Sequence, residues 1–379
     1  MKISIISTAY PLRGGIAHFV GLVYKELKKK HDVSVITFKR QYPKIFFPGK
    51  SQKEDGDETE KIPSRVSVDS INPVNWLLEG LRVKKDEPEL IIFKYWMPFF
   101  APCFYTISRI ARMNGKTKTL VICDNVLPHE KRPGDKFLTK LFFSRADYFV
   151  LLSKKVLEDL IMLKPGAVYR VLPHPIYSNF GDVVLKMQAK AKLKLKDEKL
   201  VLFFGFIRDY KGLDLLLRAM ALLKTENIKL MVAGEFYSDK EKYLNLIDEL
   251  KLQDTVRLFT DFIPSGEVRY YFSACDAVIL PYRSATQSGI VQIAMNFRKP
   301  VIATDVGGLK EVVINNKTGF IVDEIDPKKI ADGILRFYNE KHEDEFVKNI
   351  ENEVDKYSWK HFIDGMLEMT TGENKNLKE

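Results

Sequence analysis

Short apolar runs recur along the chain, separated by longer stretches of mixed polarity. Residues 2–7, 32–38, 90–93, 119–123, 148–152 and 168–172 are too short and too apolar for helices and read as strands. Helical spacing fills 15–30 and the segments around 101–113 and 134–145. The scheme then repeats: 200–205, 230–233, 256–260, 277–280 and 301–303 are apolar, and each is followed by a helix-length segment. Strands alternating with helices predict parallel, doubly wound sheets, and two such sets predict two Rossmann-like domains. The join falls after Pro173-His174-Pro175, with a lysine-rich helix over 186–199 leading into the second domain. Residues 49–66 are charged and poor in apolar side chains and read as a loop, and the last eight as a frayed tail.

At 379 residues with 45% hydrophobic content, the chain suits two folded domains. The three cysteines, 103, 123 and 275, lie in apolar context and suggest reduced thiols and a cytoplasmic setting, with no metal site. The start, Met1-Lys2-Ile3-Ser4, runs straight into a strand and lacks a cleavage region. No stretch reaches the ~18 uninterrupted apolar residues of a membrane span.

Charge is unevenly distributed. Residues 1–175 carry 30 Lys and Arg against 18 Asp and Glu, a net of +12, while the remainder carries 30 against 32. Either this serves solubility or it forms a basic face for an anionic surface. No nucleic-acid-binding motif accompanies it, so no nucleic-acid partner is expected. Lys39, Arg40, Tyr42, Lys44, Phe46, Phe47 and Lys50 interleave cations with aromatics, the composition of a contact with lipid headgroups or a lipid-linked acceptor. A second aromatic run, 95–105, reads as core packing.

Ligands of parallel sheets bind at the carboxyl ends of strands, which selects the loops that matter. After the first strand, Gly14-Gly15 opens a helix and lets the backbone approach a substrate. It is neither a dinucleotide fingerprint nor a P-loop. After the first strand of the second half, Arg208 and Lys211 add two cations beside a helix start, a pairing that suits a diphosphate. Thr286, Gln287, Ser288 and Gly289 form a small polar loop leading into another helix, whose first N–H groups suit an anion.

The ordered set Gly14-Gly15-Ile16-Ala17, Gly205…Arg208-x-x-Lys211-Gly212, Ala294-Met295…Lys299-Pro300-Val301-Ile302-Ala303-Thr304…Gly307-Gly308-x-x-Glu311 and Thr318-Gly319-Phe320-Ile321-Val322 resembles family 4 glycosyltransferases. The resemblance covers nearly the whole chain. It implies two Rossmann-like domains facing a cleft (GT-B), with the last helix, after Tyr357-Ser358-Trp359, crossing back to the first. The domains would be 1–174 plus 360–379 on the acceptor side and 175–359 for the donor. It also implies a nucleoside-diphosphate-sugar donor as substrate, no cofactor, no metal, and transfer with retention; with the basic half of the chain, the expected acceptor is a glycan or lipid-linked one at the cytoplasmic membrane face.

Many members carry two glutamates eight positions apart, where this chain has Ala285 and Ile293. Gln287 is the available substitute for the first, and Gln292 is expected to point off the ligand face. The departure keeps open a non-catalytic nucleotide-sugar-binding or scaffold role. On the acceptor side, the resemblance makes His129 and Asp124 the catalytic candidates: one faces the reaction centre while the other orients it. His18 and His174 are weaker candidates.

Overall fold

The computed structural model describes residues 1–43, 61–128 and 132–370. The chain divides into two compact units. The first runs to Pro175 and takes up the chain again at Tyr357, and the second covers Ile176–Lys356.

The first unit contains β1 (Lys2–Ile6), α1 (Gly15–Lys28), β2 (Asp32–Arg40), β3 (Arg65–Asp69), α2 (Pro73–Asp86), β4 (Leu90–Tyr95), α3 (Ala101–Ala111), β5 (Lys118–Cys123), α4 (Asp135–Phe143), β6 (Tyr148–Leu151), α5 (Lys154–Leu163) and β7 (Val168–Val171). Its seven strands are ordered β3-β2-β1-β4-β5-β6-β7, every pair parallel. Strands buried on both faces explain the mostly apolar runs of β1, β4 and β5. One face of this sheet packs Phe93, Phe100, Phe104, Phe142, Phe143 and Phe149 into a continuous aromatic core. The aromatic run at 95–105 belongs to that core, as its composition predicts.

The second unit contains α6 (Lys186–Lys192), β8 (Lys199–Phe204), α7 (Leu213–Leu222), β9 (Ile228–Ala233), α8 (Lys240–Glu249), β10 (Val256–Phe259), α9 (Val268–Ala274), β11 (Ala277–Leu280), α10 (Gly289–Asn296), β12 (Val301–Thr304), α11 (Leu309–Val312), β13 (Gly319–Val322), α12 (Pro327–Asn339) and α13 (Glu343–Glu353). Its sheet is ordered β10-β9-β8-β11-β12-β13, again parallel throughout. The helix α14 (Trp359–Glu368) packs on α1 in the first unit, where Trp359 and Phe362 meet Phe19 edge-on.

Three elements depart from the sequence reading. The loop expected over 49–66 ends in β3, whose first residues, Arg65 and Val66, pair with β2. The helix α2 follows directly, although nothing in its pattern announced it. Its buried positions are Asn75, Glu79, Gly80 and Val83, while Val74, Leu77, Leu78 and Leu81 face outward. Helix α6 is shorter than expected and stops at Lys192. The expected tail lies outside the described residues.

Candidate active site

In each sheet the strand order reverses direction at one point, between β1 and β4 in the first unit and between β8 and β11 in the second. The loops leaving those strands diverge there and open a crevice at the strand ends. The second unit gathers four such loops. After β8, Gly212 adopts φ 68°, and a Cβ on it would lie 2.0 Å from the Pro281 carbonyl oxygen. Only glycine therefore lets the β8 loop lie against the end of β11. Gly307, φ 54°, brings the loop after β12 equally close to Ala285, where a Cβ would meet the carbonyl oxygen at 1.7 Å. The Gly308 N–H donates to the Thr286 carbonyl at 3.1 Å, which fixes the polar loop from below.

Arg208 and Lys211 both sit at this crevice, half-buried. Basic side chains at a strand end are ordinarily exposed. The difference arises because aromatic side chains line the loops. Lys211 Nζ lies 5.7 Å from the centre of the Tyr282 ring and would be 3.1 Å from a Cβ on Gly205. Arg208 lies 5.3 Å from the centre of the Tyr237 ring, which packs on Phe206 at 4.3 Å. Burial, and then the charge of Arg208, pull the Lys211 ammonium down to about 8, with no carboxylate offsetting them. A neighbouring cation, Arg283, is committed elsewhere: it forks onto Asp214 at 2.8 and 2.6 Å. Asp209 is likewise occupied, accepting from Lys242 and the Tyr243 hydroxyl.

Beside these cations α10 begins. Ser288 caps it by accepting from the Ile290 N–H at 3.3 Å, and the Tyr282 hydroxyl lies 3.5 Å from the Ser288 hydroxyl. Thr286 is buried, whereas Gln287, Ser288 and Gly289 are partly open. The Tyr177 ring lies over Gly289, so a side chain there would meet it at 3.1 Å. Ala285 and Ile293 are buried, with no carboxylate at either position. Gln292 is buried too, and its Oε1 finds no partner among the described residues.

In the first unit, Gly14 caps α1 with φ 107° and no side chain, and Gly15 is exposed. Ser7 and Thr8 follow β1, buried, with hydroxyl oxygens that find no partner among the described residues. Asp124 follows β5, and its Oδ1 accepts from Lys94 Nζ at 2.6 Å. Lys94 is 1% exposed and stands 3.7 Å over the Phe19 ring. Burial pushes the Asp124 carboxyl up and the Lys94 ammonium down, each opposed by the charge of the other.

The sequence did not reveal this pairing of Asp124 with a buried ammonium on the neighbouring strand. His129 lies outside the described residues. His174 is buried, its Nδ1–H donating to the Pro175 carbonyl at 2.7 Å, and burial with the nearby Lys94 charge lowers it to about 3. His18 is lowered to about 4 by burial, so both imidazoles are neutral at pH 7.

Of the expected membrane contacts, Lys44, Phe46, Phe47 and Lys50 lie outside the described residues. Lys39 is exposed. Arg40 is paired with the buried Asp69. Tyr42 is half-buried: its hydroxyl accepts from Trp96 Nε1 at 3.1 Å, and its ring stacks on Phe99.

Residues 186–353 match the family described as glycosyl transferases group 1. The match falls within the second unit, Ile176–Lys356. Transfer of a glycosyl group is therefore the chemistry of this chain.

The chain is 26% identical to an uncharacterized glycosyltransferase of Methanocaldococcus jannaschii, with 95% of each covered. It is 29% identical to a D-inositol 3-phosphate glycosyltransferase of Frankia alni over 67% of this chain and 63% of that one. In fold it is similar to Anabaena Alr3699/HepE, solved with UDP-glucose, at a TM-score of 0.76 and 17% identity, covering 98% and 100% of the two chains. The sucrose-phosphate synthase of Thermosynechococcus elongatus gives 0.75 at 19% identity, with 98% of each covered. The fold is GT-B, built from two Rossmann-like units.

Proposed function

We propose that this glycosyltransferase takes a sugar from a nucleoside-diphosphate-sugar donor held by its second unit and transfers it, with retention, to a glycan or lipid-linked acceptor. The observation that carries the reading is Lys211. It is a half-buried ammonium beside Arg208 that no carboxylate among the described residues neutralises, at the switch point of a parallel sheet. A folded protein gathers two unpaired cations there at a cost, and a diphosphate offsets it.

The N–H groups opening α10 and the Ser288 hydroxyl add donors on the same side. Together they stabilise the charge that develops on the departing diphosphate, a task for which other transferases use a divalent ion. Breaking the anomeric C–O bond leaves the electron pair on the diphosphate oxygen. That oxygen then takes the proton of the acceptor hydroxyl as the new C–O bond forms on the same face. Tyr177 and Gly289 shape the donor end. His129 is assigned to a hydroxyl of the transferred sugar, and acceptor binding to the first unit. That the Anabaena protein was solved with UDP and with UDP-glucose makes UDP the first ligand to try.

Thermal denaturation with UDP, ADP and GDP tests this. A diphosphate at ~100 times its Kd raises stability by about 2.7 kcal/mol. The shift is expected in the wild-type chain and absent in R208A/K211A. No shift with any of the three, or an equal shift in the double variant, refutes the assignment.

A further inference from the structure

The inverted packing of α2 carries one inference beyond donor chemistry. A surface helix of a globular protein normally buries its apolar stripe. Here the buried side is polar. Asn75 Oδ1 accepts from the Asp69 N–H at 2.7 Å and its Nδ2 donates to the Ser67 carbonyl at 3.1 Å. Glu79, fully buried, accepts from the Ser67 hydroxyl at 2.9 Å and pairs with Arg65 and Arg82. Gly80 lies so close to α3 that a Cβ would meet Ile110 at 2.8 Å. With that side fixed, Val74, Leu77, Leu78 and Leu81 are each between 49% and 64% exposed. At 3.6 residues per turn the four fall within an arc of about 100°.

Such a contiguous stripe marks an interaction surface, and its surroundings identify the partner. Lys85 continues the stripe at its carboxyl end, and Arg82 and Lys84 border it on either side. The turn Arg112–Asn114 packs against α2 and adds Met113, 67% exposed. The stripe therefore combines aliphatic side chains with cations on a half of the chain whose net charge is +12. A protein partner would need an apolar groove with an acidic rim, whereas an anionic bilayer offers both as a continuous surface.

We propose that α2 docks the first unit on an anionic lipid bilayer, with Val74, Leu77, Leu78 and Leu81 entering the acyl boundary and Lys84 and Lys85 at the headgroups. The choice of a bilayer deepens the reading of a lipid-linked acceptor and rests on it.

Flotation of the full chain with phosphatidylglycerol-rich and with pure phosphatidylcholine vesicles tests the proposal. The wild type is expected to float with the anionic vesicles only and to be released at 1 M salt, where the Debye length falls to ~3 Å. L77Q/L78Q/L81Q is expected to stay in the soluble fraction at low salt. Each lysine removed in K84Q/K85Q lowers binding ~5-fold.

The UDP-dependent melting shift of each variant is measured alongside and is expected to match the wild type. That separates the two readings: loss of flotation with an intact shift concerns α2 alone, and absence of the shift in all proteins concerns the donor site. Wild-type chain that does not float, or a triple variant that floats as well as the wild type, overturns the proposal. So does a wild type that stays soluble as a dimer and becomes monomeric in the triple variant, because a second copy would then cover the stripe.

Discussion

Replacing Asp124 by Asn is expected to destabilise the first unit by about 3 kcal/mol. Lys94 is fully buried, and Asp124 is its only carboxylate within bonding distance among the described residues, at 2.6 Å. Breaking a buried pair by removing one partner costs ~3–5 kcal/mol, since the other charge is left uncompensated. Asparagine keeps an acceptor for the ammonium, which places the change at the lower end of that range. For a unit of this size ~2–4 °C accompany each kcal/mol, giving a fall of roughly 6–12 °C. The chain's three tryptophans, 76, 96 and 359, all lie in the first unit, so tryptophan fluorescence follows that unit's unfolding alone.

A pH series adds a sign. Burial already holds the folded Lys94 below the ordinary 10.5, and losing Asp124 removes the charge that opposed it. Between the folded and unfolded values the unfolded chain binds the extra proton, so stability rises with pH in that window. The gap between D124N and wild type should therefore narrow as pH approaches 10.5. Removing both charges in K94M/D124L should recover most of the loss. A D124N transition within 2 °C of wild type (on the scale of about 1 kcal/mol), or a double variant as unstable as the single, would refute the reasoning.

Lys211 gives a second pH signature. Lowered to about 8 by burial and Arg208, it is mostly neutral at pH 8.5, and a bound diphosphate must recharge it. Calorimetry of UDP binding at that pH, in buffers of different ionisation enthalpy, should report uptake of roughly 0.7 proton, absent in K211A. Uptake that survives K211A removes the lysine from the site. Gly307→Ala places a Cβ 1.7 Å from the Ala285 carbonyl oxygen at φ 54°. A strain of ~1–3 kcal/mol and a weakened UDP shift are expected, whereas unaltered melting and binding would mean the loop tolerates the move. EDTA should leave transfer intact, and loss of activity restored by manganese would point to a metal-assisted step.

The parallel sheets were legible because strands buried on both faces are largely apolar, as β1, β4 and β8 are apart from Ser4, Lys94 and the terminal Lys2 and Lys199. The strand-end rule then picked Arg208 and Lys211 from sixty basic residues. Helix α2 was illegible for the opposite reason. Its buried polar network depends on Ser67, Asp69 and Arg65 of the neighbouring strand, so its own sequence shows leucines on what proves to be the outer side. The Lys94–Asp124 pair joins adjacent strands thirty positions apart, and no local pattern connects them. Tyr177 over Gly289 and Tyr237 beside Arg208 were missed likewise. The strand-end rule applied to β9 as well would have drawn attention to Tyr237, which follows it closely.

The return of α14 to the first unit has a consequence for biosynthesis. Phe19 is translated some 340 residues before Trp359 and Phe362, which cover it. At ~5–20 residues per second, the α1 surface waits tens of seconds for its partner. The second unit, contiguous from Ile176 to Lys356, has all its strands before α14 is made. Vectorial synthesis thus completes every strand of the later-encoded unit before the first unit receives its last helix, and a chain interrupted between the two leaves the α1 surface uncovered for chaperones to shield.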